Sequence, residues 1–378
     1  MRPDEAADTR VVLTLDAGGT SFRFSALRGA RPLVEGVSVP SCGDDLERSL
    51  ATIVEGFSRV RDQLPAPPVA ISFAFPGPAD YAAGIIVGPR NLPAYRNVPL
   101  GPMLEDRFDL PAFINNDGDL FVYGEATAGL LPEINRALGE AGSPKRFRNL
   151  FGVTIGTGFG GGIVRDGVLH VGDNSGAGEV WLFRHKGLAE VNVEEGASIR
   201  AVRRVYAEIA GIGPEGAPEP RQIHAIAEGR ADGHRDAARE AFRRLGEVVG
   251  DAIAIASTLL DGLVVVGGGI AGAHSQFLPA VVAEMNATYR APSGDRFRRL
   301  VPRAFNLEDP ADRAVFLAGE PREVRVPGSG RRVRFDALSR IGVGVSRLGT
   351  SEATAIGAYA FALSRLDAGG DGVAATRA

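Results

Sequence analysis

Between Gly152 and Trp181 the chain reads GVTIGTGFGGGIVRDGVLHVGDNSGAGEVW, and this stretch constrains the fold more than any other. An apolar run, Val153-Thr154-Ile155, enters Gly156-Thr157-Gly158-Phe159-Gly160-Gly161-Gly162 and returns as Ile163-Val164. Asp166-Gly167 is a two-residue hairpin signal, answered by Val168-Leu169-His170. Glycine has no Cβ, so its backbone can approach a bulky anion and successive N–H groups can point into it. Thr157 adds a hydroxyl donor. Taken alone, the stretch reads equally well as a plain glycine-rich hairpin.

A second copy of the pattern changes that balance. Val11 to Leu27, VVLTLDAGGTSFRFSAL, runs strand, turn, strand: Val11–Leu15, then Asp16-Ala17-Gly18-Gly19-Thr20, then Phe22–Leu27. The two copies begin roughly 140 residues apart, which suggests two halves of similar build. Two phosphate-type hairpins with one carboxylate to hold a metal make a nucleotide-binding set. There is no GxxxxGK[ST], so this is no P-loop. Each glycine turn enters a strand rather than a helix, so it is no dinucleotide fingerprint either.

DAGGT, FAFPGPAD, NNDGDLFVYGEATAG, GTGFGGGIV with AGE, and LVVVGGGIAGA occur in the order seen in the ROK family (repressors, open reading frames and sugar kinases). The chain resembles that family over roughly residues 10 to 365. The resemblance implies an α/β fold of two ribonuclease-H-like domains, the actin and hexokinase build, with mixed sheets around an interdomain cleft. It places a small N-terminal domain at 10–115, completed by a C-terminal helix at 351–365, and a large domain at 116–350. Residues 1–9 and 367–378 read as disordered.

At 378 residues the chain can bury two cores. A net charge of −4 argues against nucleic acid or an anionic membrane as partner. A single cysteine, Cys42, excludes an intrachain disulfide and a cysteine-rich zinc site, and fits a reducing cytoplasm. No run approaches the ~18 apolar residues of a membrane span, and the polar start MRPDEAADTR is no signal peptide. The family's repressors carry a helix-turn-helix before the first hairpin; the ten residues preceding Val11 are expected to be too few for one. A catalytically idle, sugar-sensing regulator stays as the alternative.

Along the chain, apolar residues at 3–4 spacing predict a helix over 46–64, ended by Pro65. Strands are expected at 33–39, 69–75, 112–114 and 263–266, and helices at 198–210, 236–260, 276–289 and 352–363. Residues 131–149 read as a polar insertion. Residues 291–340 depart from simpler relatives, with a hairpin expected around Pro327-Gly328-Ser329-Gly330.

Asp117 follows a short strand, where carboxylates of open α/β sheets meet ligands, and is the candidate base. A helix N-cap would use Asn116 or Asp117 equally well. Gly18, Gly19, Thr20, Gly156, Thr157 and Gly158 are expected to hold phosphates. Asp16 is expected to position Mg²⁺, directly or through water. By resemblance, Gly268 and Gly269 flank adenosine, and Asn116, Glu179 and Glu194 hold the acceptor. The implied reaction is ATP-dependent, Mg²⁺-assisted phosphorylation of a sugar or polyol hydroxyl by a cytoplasmic homodimer.

The family pattern GEIGH is followed by zinc ligands, whereas this chain has Gly178-Glu179-Val180-Trp181-Leu182 and no zinc cysteines. No zinc site is expected. Leu182 stands at the histidine position, where a buried apolar group leaves a sugar hydroxyl unpaired, so glucose is expected to be a poor acceptor and the true acceptor to differ at the ring position facing Leu182. Trp181 reads as core packing rather than a cover for the substrate. Of the five histidines only His185 lies near the missing one.

Overall fold

The computed structural model describes residues 8–18, 20–89 and 91–370, so Gly19 and Arg90 lie outside the described residues. The chain divides into two units. The first takes the chain to Gly129, the segment Gly162–Gly178 and everything from Leu348; the second takes Leu130–Gly161 and Glu179–Arg347. Residues 116–129 thus join the first unit rather than the second.

The first unit opens with the hairpin β1 (Val11–Ala17) and β2 (Ser21–Arg28), in register from Val11↔Arg28 to Ala17↔Phe22. β1 is buried from Val11 to Leu15, whereas β2 alternates and buries Phe22, Phe24 and Ala26. The expected third strand is two short pieces, β3 (Arg31–Pro32) and β4 (Val37–Pro40), each paired with β2. Asp45 caps α1 (Leu46–Arg61) by accepting the Arg48 N–H, and the helix buries Ile53, Phe57 and Val60. β5 (Ala70–Ala74) lies parallel to β1, followed by the small pair β6 (Ala79–Asp80) and β7 (Ile85–Ile86). Then come α2 (Leu100–Phe108), β8 (Ala112–Asn115), parallel to β5, and α3 (Asp117–Thr127). The sheet order is β3-β2-β1-β5-β8. Beneath it Phe24 meets Phe57 edge-on, with ring centroids 5.0 Å apart.

The second unit begins with α4 (Leu130–Glu140), where the sequence suggested a polar insertion. Its charged residues hide an apolar stripe of Leu130, Leu131, Ile134 and Leu138, all buried. The chain continues through β9 (Leu150–Ile155) and β10 (Phe159–Arg165), which passes at Gly162 into the segment counted with the first unit, where β11 (Val168–Leu169) follows. After two 3₁₀ turns at Val180–Leu182 and Val193–Glu195 come α5 (Ile199–Ala210), α6 (Pro220–Ala227) and α7 (Arg235–Leu260). Next are β12 (Leu263–Gly267), α8 (His274–Met285), the ribbon β13 (Thr288–Arg290) and β14 (Arg296–Arg298), β15 (Arg303–Asn306) and α9 (Pro310–Ala318). The expected hairpin is β16 (Pro321–Arg325) with β17 (Arg332–Asp336), followed by β18 (Arg340–Val345). The second sheet runs β11-β10-β9-β12-β18-β15, with β9, β12, β18 and β15 parallel.

α10 (Thr350–Gly370) returns to the first unit and crosses α3 backbone to backbone. A Cβ on Gly124 would meet the Ala353 carbonyl, and one on Gly357 the Leu120 carbonyl. At its far end Arg10 bonds both Asp8 and Asp367, the latter at 2.6 Å. Residues 367–370 lie within α10, and Asp8 and Asp367 both meet Arg10. The remainder of both expected disordered ends lies outside the described residues.

Candidate functional site

In the first unit, strand register gathers the site. Asp16 on β1 lies opposite Ala74 on β5, and Ala74 opposite Asn115 on β8. Asp16 and the Asn115–Asp117 corner thus stand two strands apart at the C-terminal edge of the parallel strands, where such sheets bind ligands. The first turn is closed by the Gly18 N–H on the Ser21 carbonyl at 3.0 Å. Thr20 is exposed, and its carbonyl accepts the Ser41 N–H at 3.1 Å.

Asn116 is the N-cap of α3 and Asp117 its first residue. Oδ1 of Asn116 accepts the Gly118 N–H at 2.7 Å, and Oδ1 of Asp117 shares that N–H at 2.9 Å. Capping therefore falls chiefly to Asn116. Protein crowds Asp117, yet solvent reaches its side chain. Desolvation pushes the carboxyl above its ordinary 3.8, two backbone hydrogen bonds pull it back, and the nearby charge of Asp16 adds to the rise. Open water on one side limits the size of the shift but not its direction. Asp119 is buried in the same first turn.

In the second unit the Gly156–Gly158 turn follows β9. Open space surrounds Gly156, whereas a Cβ on Gly158 would stand 2.7 Å from Glu194 Oε2. That oxygen accepts the Phe159 N–H at 2.9 Å, and Oε1 accepts Arg200 Nη2 at 2.8 Å. Both oxygens of Glu194 thus already have protein partners, although each keeps a lone pair. Gly268, at φ +89°, presses on the backbone of Ile155, where no side chain fits; Gly269 faces open space. Among the described residues, no group of three or more His, Cys, Asp or Glu could hold a metal ion.

Two expectations change. Leu182 is 61% exposed, because its 3₁₀ turn points it outward, so the buried contact behind the case against glucose does not exist. Trp181 is only partly buried, and its Nε1 donates to Glu179 Oε2, so it orients that carboxylate rather than filling a core. His185 Nδ1 accepts the Gly187 N–H at 3.1 Å, and its ring lies against Gly196. Burial first, then the charges of Arg204 and Lys186, lower its pKa despite Asp251. It serves the loop where the family pattern has zinc ligands. Arg200 was missed by motif reading, since it stands two residues past the last recognisable mark; its signal was a cation on a helix start beside the acidic pair Glu194-Glu195.

The ROK family signature matches residues 12–311. The chain is 26% identical over 310 residues to the glucokinase of Halalkalibacterium halodurans, covering 75% of this chain and 88% of that protein. It is 33% identical over 171 residues to an N-acetyl-D-glucosamine kinase of Vibrio vulnificus, 45% of this chain and 51% of that one. Its structure resembles that of a glucokinase from Parabacteroides distasonis with a TM-score of 0.88, at 52% identity over 95% of this chain and 99% of the other.

Proposed function

The chain belongs to the ROK family and is an ATP-dependent carbohydrate kinase, and we propose that it transfers the γ-phosphoryl group of ATP to a hydroxyl of a free hexose with Asp117 as base. The observation that carries this reading is Asp117 itself: a carboxylate of raised pKa at the C-terminal edge of the sheet, with its capping duty taken by Asn116. A base whose pKa is lifted toward working pH accepts a proton more effectively. In the reaction the acceptor O–H proton passes to Asp117, the hydroxyl oxygen bonds to the γ-phosphorus, and the bond to the β,γ-bridging oxygen breaks to release ADP.

Gly18, Gly19, Thr20, Gly156, Thr157 and Gly158 are assigned to the phosphates. Gly269, facing open space, is assigned to adenosine together with Gly268, which sets the turn. Asn116, Glu179 and Glu194 are assigned to the acceptor. Asp16 would hold Mg²⁺. A single exposed carboxylate suits an ion that shares its shell with phosphates and waters. When bound, that ion offsets phosphate charge. The first unit is taken as the smaller ATPase-like half, extended by α3, and the second as the larger. A cytoplasmic homodimer completes the proposal; the free Cys42 fits that compartment.

Glucose leads the acceptors because the similarity to the two glucokinases spans most of the chain and Leu182 is exposed. N-acetylglucosamine follows. The test is an ADP-release screen across hexoses, amino sugars and polyols with Mg²⁺-ATP, the phosphorylated product being identified by mass. Turnover with a hexose supports the reading. ADP release that is the same with and without every sugar contradicts it.

A further inference from the structure

The Gly156–Phe159 turn is held from behind by one arginine. Arg200, on the first turn of α5, donates from Nη1 to the Thr157 carbonyl at 3.0 Å. Its Nη2 donates to Glu194 Oε1 at 2.8 Å and to Glu195 Oε1 at 2.6 Å, and its Nε adds a bond to Glu195 Oε1 at 3.2 Å. Glu194 passes the restraint on through the Phe159 N–H, and the neighbouring Ile199 N–H holds the Gly156 carbonyl at 2.8 Å. Three of the four turn residues are thus fixed by the short segment 194–200. The planar guanidinium suits this task, since its fork reaches three acceptors in one geometry where an ammonium is a point charge. It also offsets the charge of Glu194, and with Arg204 that of Glu195.

We propose that Arg200 is the positioning residue of the phosphoryl-donor turn, fixing the backbone of residues 156–159 and making Glu194 a brace of that turn as well as an acceptor ligand. This rests on the kinase reading above. Arg200 touches neither reacting group; it acts through Thr157 and Glu194. Its side chain is 45% exposed, so removing it should disturb nucleotide binding far more than folding.

The test measures AMPPNP affinity by calorimetry, KM for ATP and for the sugar, and melting temperature, in wild type, Arg200→Ala and Arg200→Lys. In Arg200→Ala, AMPPNP affinity should fall and KM for ATP rise roughly tenfold, the scale of losing one hydrogen bond to a charged group. The sugar KM should move less and the melting temperature hardly at all. Added guanidinium ion should recover part of the loss, and Arg200→Lys should recover only a fraction. Unchanged AMPPNP affinity and KM in Arg200→Ala overturn the proposal while leaving the kinase reading intact. So does a loss of binding matched by a large fall in melting temperature and deaf to guanidinium, since that marks a merely structural role. A wild-type protein that neither binds AMPPNP nor phosphorylates any sugar overturns the kinase reading, and this proposal with it.

Discussion

Gly158 and Glu194 compete for one space: a Cβ on Gly158 would stand 2.7 Å from the Glu194 oxygen that accepts the Phe159 N–H. Gly158→Ala should therefore break that hydrogen bond and loosen the turn. KM for ATP should rise about tenfold, the scale of one lost hydrogen bond to a carboxylate. Gly156→Ala, with open space around the added methyl, should cost less unless nucleotide itself fills that space. Equal ATP kinetics in wild type and Gly158→Ala would remove Glu194 from the account of the turn.

The crossing of α3 and α10 tolerates no added atoms. In Gly357→Ala the new methyl meets the Leu120 carbonyl, which belongs to helix backbone and cannot rotate away. Overpacking of this kind costs about 1–3 kcal/mol. Because α3 carries Asp117 at its start, turnover should fall along with stability. Urea unfolding and a sugar-phosphorylation assay on the same preparation check this. An unshifted unfolding midpoint contradicts the packing argument.

In the second unit Arg347 joins two carboxylates, donating from Nε to Glu133 Oε2 and from Nη1 to Glu308 Oε1, each at 2.7 Å. Burial works to raise the Glu133 carboxyl, but the hydrogen bonds and charges of Arg313 and Arg347 outweigh it and hold it below its ordinary 4.5. The native state therefore binds this proton less tightly than the unfolded chain does. The resulting stability is present above pH 4.5 and is lost as pH falls through the native value. Arg347→Ala should cost about 1–3 kcal/mol at neutral pH, and the gap from wild type should narrow below pH 4.5. Thermal melts of both proteins across that range decide it; a gap that widens in acid contradicts the assignment.

Asp117 has the opposite sign. Its raised pKa means that the native state binds the proton more tightly than the unfolded chain, so its charge opposes folding once pH exceeds the native value. Asp117→Asn should melt higher than wild type at pH 7, and the advantage should fade as pH falls toward 3.8. A variant that melts lower at pH 7 would show that the carboxylate stabilises its corner.

Much of this was legible in the sequence. The two glycine hairpins, Asp117 after a strand and the Gly268 turn all rest on local patterns, and local patterns survive into the fold. What could not be read depends on direction and distance. Leu182 looked buried by position alone, yet a 3₁₀ turn exposes it. α4 passed for a polar insertion because its four buried apolar residues lie among charges. Arg200 belongs to no motif, and its meaning comes from bonds to Thr157, Glu194 and Glu195, the first 43 residues away in sequence.

The central claim is that Asp117 takes the acceptor's proton, and its most direct test is sugar phosphorylation by Asp117→Asn set beside its AMPPNP affinity. The asparagine keeps the shape and can still share the Gly118 N–H, but it accepts no proton at neutral pH. Turnover should fall by about 10²–10⁴-fold, the usual contribution of a positioned base, while AMPPNP binds as it does to wild type. Near-normal phosphorylation of the best sugar by Asp117→Asn would contradict the account.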